Sequence, residues 1–113
     1  MQPKEITKRE IYEMAIDQWG AAAQMLMAIE EMAELIKEIC KVFRGRKDIR
    51  HIAEEQADVE IMMEQLRIIF EDAEEANTMK TFKINRLYER LQKYSLEPET
   101  AEAYCGTTDS GPG

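Results

Sequence analysis

Residues 48–70 read Asp-Ile-Arg-His-Ile-Ala-Glu-Glu-Gln-Ala-Asp-Val-Glu-Ile-Met-Met-Glu-Gln-Leu-Arg-Ile-Ile-Phe, and they constrain the fold more than any other stretch. Ile52, Val59, Met62, Leu66 and Ile69 recur at steps of three, four and seven, which at 3.6 residues per turn makes one apolar stripe on a helix. Glu55 and Asp58 fall inside that stripe, whereas Glu54, Glu60, Glu64 and Arg67 fall outside it. A buried ionised carboxylate is costly unless it is paired, hydrogen-bonded or bound to metal. Polar positions were free for solvated charge, so two acids on the core-seeking face imply a core that favours negative charge.

The remainder is also helical in pattern. Only three prolines and five glycines interrupt 113 residues, no apolar/polar alternation of strand length occurs, and Ala, Glu, Met, Leu, Lys and Gln dominate. A first short helix opens at Thr7, with Glu10 completing a capping box, carries Ile11, Met14 and Ala15, and closes at Trp19-Gly20. A second runs from about Ala21 to Phe43, with Met25, Ile29, Met32, Ile36, Ile39 and Phe43 as its main stripe and Arg44-Gly45-Arg46 as its stop. The third starts at Asp48 as N-cap and ends near Phe70. Glu71 to Ala76 is weakly patterned and reads as a loop or break, after which Ile84, Leu87, Tyr88 and Leu91 mark a fourth helix from about Met79 to Tyr94. From Ser95 onward periodicity is lost. The expectation is a single all-α domain over residues 1–94 with a disordered tail over 95–113.

A net charge of −8 disfavours a nonspecific nucleic-acid or anionic-membrane binder, since both rely on Lys and Arg to meet phosphate charge. Cys40 and Cys105 give no disulfide framework, and neither a signal-peptide core nor a long apolar span is present, so a reduced cytoplasmic protein is expected. There is no glycine-rich phosphate loop and no Ser/His/Asp set. Met25, Met27, Met62 and Met63 lie at angles too spread for one partner helix, which points to a homo-oligomer.

Glu31, Glu34 and Glu38 cluster on one flank of the second helix's stripe, with Gln24 one heptad before Glu31. A row of Glu on a helix is ordinarily a solvated face. The second acidic pair, on the next helix, alters that reading: Glu31/Glu34 and Glu55/Asp58 at i, i+3 on antiparallel helices can aim four carboxylates at one point. Oxygen-only ligands suit Mg²⁺ or Mn²⁺ over zinc or copper. Such an ion would polarise a phosphoryl oxygen and acidify water, with Glu38 or Glu30 near enough in sequence to act as base. His51, one turn before Glu55, offers with Asp48 a second ligand set or is simply a packed histidine. Trp19 is a core anchor or a platform for a stacked base. Lys83, Arg86, Arg90 and Lys93 form a basic line along the fourth helix, either a solubilising face with partners such as Glu89 or a phosphate clamp.

Glu31-x-x-Glu34, a gap from 35 to 54, and Glu55-x-x-Asp58, with Gln24, Ile29-Glu-Glu-Met-Ala-Glu-Leu-Ile36, Lys41 and Ile52-Ala-Glu-Glu-Gln-Ala-Asp-Val59 around them, resemble the paired acidic motif of the MazG-like all-α nucleoside triphosphate pyrophosphohydrolases. The resemblance covers about residues 10 to 92. It implies a four-helix bundle, a dimer or tetramer with its site near a subunit interface, and Mg²⁺ held by Glu31, Glu34, Glu55 and Asp58. It further implies cleavage of a nucleoside triphosphate between the α and β phosphates, with Lys83 and Arg86 in the place of the family's basic cluster. Two readings compete. A ferritin-like di-metal protein needs Glu-x-x-His on two helices, and this chain has only Asp48-x-x-His51. A non-catalytic helical interaction module related to the family would be favoured by a missing acid, and all four are present.

Overall fold

The computed structural model describes residues 5–96, which form four helices and, among those residues, no strand: α1 (Lys8–Trp19), α2 (Ala21–Phe43), α3 (Ile49–Phe70) and α4 (Ala73–Leu96). Local chemistry sets the ends. Thr7 Oγ1 accepts the Glu10 N–H at 3.1 Å, the N-cap bond that a capping box predicts, and donates to Glu10 Oε1 at 3.0 Å. Gly20 closes α1 by donating to Ile16 O at 2.7 Å and opens α2 by accepting from Gln24 N at 3.1 Å. Its φ of 92° with ψ of 151° is positive but not left-handed helical, a conformation that strains any side chain although nothing lies within 4 Å of the missing Cβ. Asp48 Oδ1 caps α3 through His51 N at 3.2 Å.

The fourth helix differs from expectation at its start. Only Glu71, left-handed at φ 53°, and Asp72 separate α3 from α4. The Asp72 carbonyl accepts from Ala76 N at 2.8 Å, and Glu74 and Glu75 in the first turn suit the positive end of the helix dipole. The expected break is therefore present but confined to Glu71 and Asp72, and from Ala73 the acidic run is the opening of α4. α4 also passes the expected end at Tyr94, and the tail, beyond Leu96, lies outside the described residues.

α2 and α3 form an antiparallel hairpin that carries most of the tertiary contact, with α1 against both and α4 touching α3 alone. Facing residues keep a constant register: Glu38 meets His51, and Gln24 meets Gln65. The same register sets Glu31 opposite Asp58 and Glu34 opposite Glu55. The covered face of α2 is the line Gln24, Ala28, Glu31, Leu35, Glu38 and Val42. Its expected core stripe is largely outside: Ile29, Ile36 and Phe43 are each 60–61% exposed. Periodicity identifies an apolar face but not which neighbour covers it, and here the acid-bearing flank took the seam. α1 is held by Tyr12, buried and donating to Glu64 Oε2, and by Lys8 Nζ at 3.1 Å from Glu64 Oε1. The Glu64 carboxyl lies below its ordinary range because Tyr12 and then Lys8 donate to it.

α4 extends away from the hairpin, tied at its base by Arg67 Nη1 donating to Asn77 Oδ1 at 2.6 Å. Its stripe residues Ile84, Leu87, Tyr88 and Leu91 are all more than half exposed. The radius of gyration, 19.1 Å, exceeds the roughly 13 Å of a compact domain of this length. No helix among the described residues is long and apolar enough to cross a membrane.

Candidate metal centre and flanking pockets

Three of the four expected acids meet at the middle of the seam. Glu31, Glu55 and Asp58 each offer an oxygen, and these atoms lie within 4.8 Å of one another. Glu55 is 9% exposed, and its Oε2 is buried with no hydrogen-bond partner among the described residues. An orphaned carboxylate oxygen beside two further acids is a group that a cation, an ordered water or a shared proton would satisfy. Burial and then the charge of Asp58 hold the Glu31 carboxyl above the usual range, with Asp58 hydrogen bonding and the charges of Glu55 and Glu34 adding to it. Glu34 is exposed and outside the tight set, yet close enough for its charge to act on Glu31. Asp58 is likewise exposed, so the premise that both acids of α3 lie in the core holds for Glu55 alone. The donor set is all oxygen, which fits a hard divalent cation such as Mg²⁺ or Mn²⁺.

Toward the α2–α3 turn, the next pair along the seam is Glu38 and His51. Glu38 is 2% exposed; Oε2 accepts from Lys41 Nζ at 2.8 Å, and Oε1 lies 3.2 Å from His51 Nδ1. Lys41 first, then the charge of His51, pulls its carboxyl below the usual range against the opposing effect of burial. His51 Nε2 also stands 3.4 Å from Glu55 Oε1, so the imidazole links this pair to the acid cluster. These contacts make Glu38 a positioning group for Lys41 and His51. Glu30 is exposed and outside the cluster, with no ion pair among the described residues.

In the opposite direction, Gln24 and Gln65 are each 5% exposed and joined by a 2.7 Å hydrogen bond. With Trp19, Ala23, Met27 and Met62 they line a cavity of about 490 Å³. Trp19 is 63% exposed, which excludes a core-anchor role within this chain and leaves its ring open to the cavity. Gln65 carried no signal of its own in the sequence; its place seven residues after Asp58, as Gln24 is seven before Glu31, is what could have revealed it.

Lys83 lines a different cavity, with Arg67, Ala76, Met79, Lys80, Ile84 and Leu87, in which none of the four acids takes part. Arg86 lies over the Phe82 ring, 5.9 Å from its centroid. Within one chain neither cation is brought to the acids. Compared with models of protein families, with curated proteins and with solved structures, the chain finds no match.

Proposed function

We propose that this chain is a Mg²⁺-dependent nucleoside triphosphate pyrophosphohydrolase that cleaves between the α and β phosphates. The observation that carries the reading is the cluster of Glu31, Glu55 and Asp58 around an unpartnered buried oxygen, in the Glu-x-x-Glu and Glu-x-x-Asp spacing that resembles the MazG-like enzymes. Glu31, Glu34, Glu55 and Asp58 would hold Mg²⁺ or Mn²⁺. The bound ion would supply charge stabilisation at a phosphoryl oxygen and an acidified water. In the reaction a water oxygen bonds to the α-phosphorus, the bond to the α–β bridging oxygen breaks, and its electron pair leaves with pyrophosphate. The water proton passes to a carboxylate. Between Glu38 and Glu30, the covered and doubly paired Glu38 is the poorer acceptor, which leaves Glu30 as the proposed base.

The cavity beside Trp19 suits the base: an exposed indole for stacking, apolar Met27 and Met62, and two amides at its wall. It begins one turn from the acids on both helices, since Met27 precedes Glu31 by four residues and Met62 follows Asp58 by four. Lys83 and Arg86 would contact phosphates only if α4 of a second copy crossed the seam, so a homo-oligomer, dimer or tetramer, in a reducing cytoplasm belongs to the same proposal. The experiment is pyrophosphate release from a nucleotide panel with Mg²⁺, for the parent and for Glu55→Gln. Release by the parent and its loss in the variant are expected. The alternative, a non-catalytic helical interaction module, draws on the uncovered apolar face of α4 and predicts no release from any nucleotide.

A further inference from the structure

We infer that the polar pocket at the α2–α3 turn is the seat of the β and γ phosphates and therefore of the departing pyrophosphate. The inference rests on the pyrophosphohydrolase reading and adds the direction in which the substrate lies. The pocket has a volume of about 370 Å³ and is lined by Glu38, Lys41, Arg46, Lys47, Asp48 and His51. Three of those residues are permanent cations. Arg46 and Lys47 make no side-chain hydrogen bond or ion pair among the described residues, and Lys41 spends one of its donors on Glu38.

The two acids in the pocket are already engaged. Both oxygens of Glu38 face cations or imidazole, and Asp48 Oδ1 caps the helix. The amides of Ile49 and Arg50, in the first turn of α3, have no carbonyl four residues back within the helix, and this positive helix end lies at the turn whose Asp48 and His51 line the pocket. In a chain of net charge −8, the turn from 44 to 50 carries Arg44, Arg46, Lys47 and Arg50 against Asp48 alone. Anion binding has few other places on this hairpin to go.

Position on the seam supplies the second argument. Gln24–Gln65, Glu31–Asp58 and Glu38–His51 follow one another at intervals of seven residues, roughly 10 Å apart on straight helices. An apolar cavity with amide groups, then a cluster of acids, then a basic pocket repeat the order base, α-phosphate, distal phosphates. Reversing the nucleotide would set its base among Arg46 and Lys47 and its most charged end against Trp19 and two methionines. The His51 imidazole spans from the acid cluster to the pocket, so the two sites are contiguous.

The test uses inorganic pyrophosphate with Mg²⁺ as a calorimetric probe on the full chain, which reads the pocket without catalysis. Neither Arg46 nor Lys47 touches the acid cluster, so Arg46→Ala/Lys47→Ala should keep the parent's helical spectrum and its thermal response to Mg²⁺. Pyrophosphate affinity should fall at least tenfold, with KM for the triphosphate rising alongside and inhibition by the monophosphate product unchanged. Unchanged pyrophosphate affinity in this variant overturns the inference, and a loss in Lys83→Ala/Arg86→Ala instead would move the phosphates to α4. Absence of pyrophosphate binding by the parent also overturns it. A parent that hydrolyses no triphosphate, yet binds pyrophosphate through Arg46 and Lys47, would remove the enzymatic reading and leave the anion site standing.

Discussion

Gln24 donates from Nε2 to Oε1 of Gln65 at 2.7 Å, joining two buried amides that are 41 residues apart in sequence. The bond leaves Gln24 Oε1 as an acceptor and Gln65 Nε2 as a donor, on two residues that line the cavity beside Trp19. Turning both amides over reverses the bond and presents donor and acceptor in the opposite order. One pair can therefore meet either a keto or an amino base edge. The expected outcome is a kcat/KM for CTP and UTP within about tenfold of each other, where a fixed hydrogen-bonding site would discriminate by about 10⁴. Gln65→Leu should cost about 1–3 kcal/mol in urea unfolding, because it strands the Gln24 amide. A thousandfold preference for one pyrimidine would refute the reversible pair.

At the acid cluster, stability and metal binding are opposed. A carboxyl held above its ordinary value, as Glu31 is, binds more protons folded than unfolded; its contribution is present below the ordinary value and lost as pH rises through the raised one. Asp58→Asn removes one of the charges responsible. At neutral pH without metal the variant should be at least as stable as the parent, and any advantage should vanish as pH falls through the Glu31 range. Mg²⁺ at a hundredfold excess over its Kd should add about 2.7 kcal/mol to the parent and far less to the variant. Urea melts with and without Mg²⁺ decide it: if Asp58→Asn destabilises the metal-free protein and keeps the full Mg²⁺ response, the assignment of Asp58 as a ligand fails.

Helix limits were legible where side chains write them. Thr7 as the cap of α1, Gly20 between α1 and α2, the stop after Phe43 and Asp48 as the cap of α3 stand where the sequence put them. The opening of α4 was not legible, because Glu74 and Glu75 act through the helix dipole and leave no apolar trace. The acid pairs were readable from their i, i+3 spacing, but their environments were not: Glu55 is buried while Asp58 and Glu34 are exposed. Burial depends on which face of α2 meets α3, and Ile29, Ile36 and Phe43 pointed to the wrong face. Tyr12 with Glu64 had no sequence signal, since a contact spanning 52 residues between an aromatic and an acid leaves no local pattern.

Glu38 should respond to pH in the sense opposite to Glu31. Its carboxyl is held below the ordinary value chiefly by Lys41, so its stabilising effect is present above the ordinary carboxylate pKa and lost as pH falls through the lowered one. Glu38→Gln is thus expected to lower the melting temperature at neutral pH and to converge on the parent in acid. Equal melting temperatures at neutral pH would mean that the Lys41 and His51 contacts contribute nothing to folding.

Tyr12 gives a third titration, at alkaline pH. Donation to Glu64, then burial and the charge of Glu64, raise its phenol from 10.0 to about 12. The contribution of the phenol is present below the ordinary value and is lost as pH climbs through the raised one. Tyr12→Phe should cost about 1 kcal/mol at neutral pH, modest because Glu64 is partly solvated and keeps Lys8. In the variant the Glu64 carboxyl should titrate closer to the ordinary range by NMR, and an unmoved titration would show that Lys8 alone holds it down.

α4 carries the last prediction. Ile84, Leu87, Tyr88 and Leu91 lie 55–61% exposed on one face of a helix that the rest of the chain barely touches. A helix in water gains most of its stability from packing an apolar face, so this one needs a cover. With the outward stripe of α2 also open at Ile29, Ile36 and Phe43, a second copy can cover both faces by a two-fold exchange. Sedimentation should give a dimer or tetramer at micromolar concentration, with a melting temperature that rises with protein concentration. Leu87→Glu with Leu91→Glu should shift the species to monomer and reduce helicity by roughly the share that α4 contributes. A parent that sediments as a folded monomer with a concentration-independent melt, or a double variant that assembles as the parent does, would show that α4 is not the assembling surface.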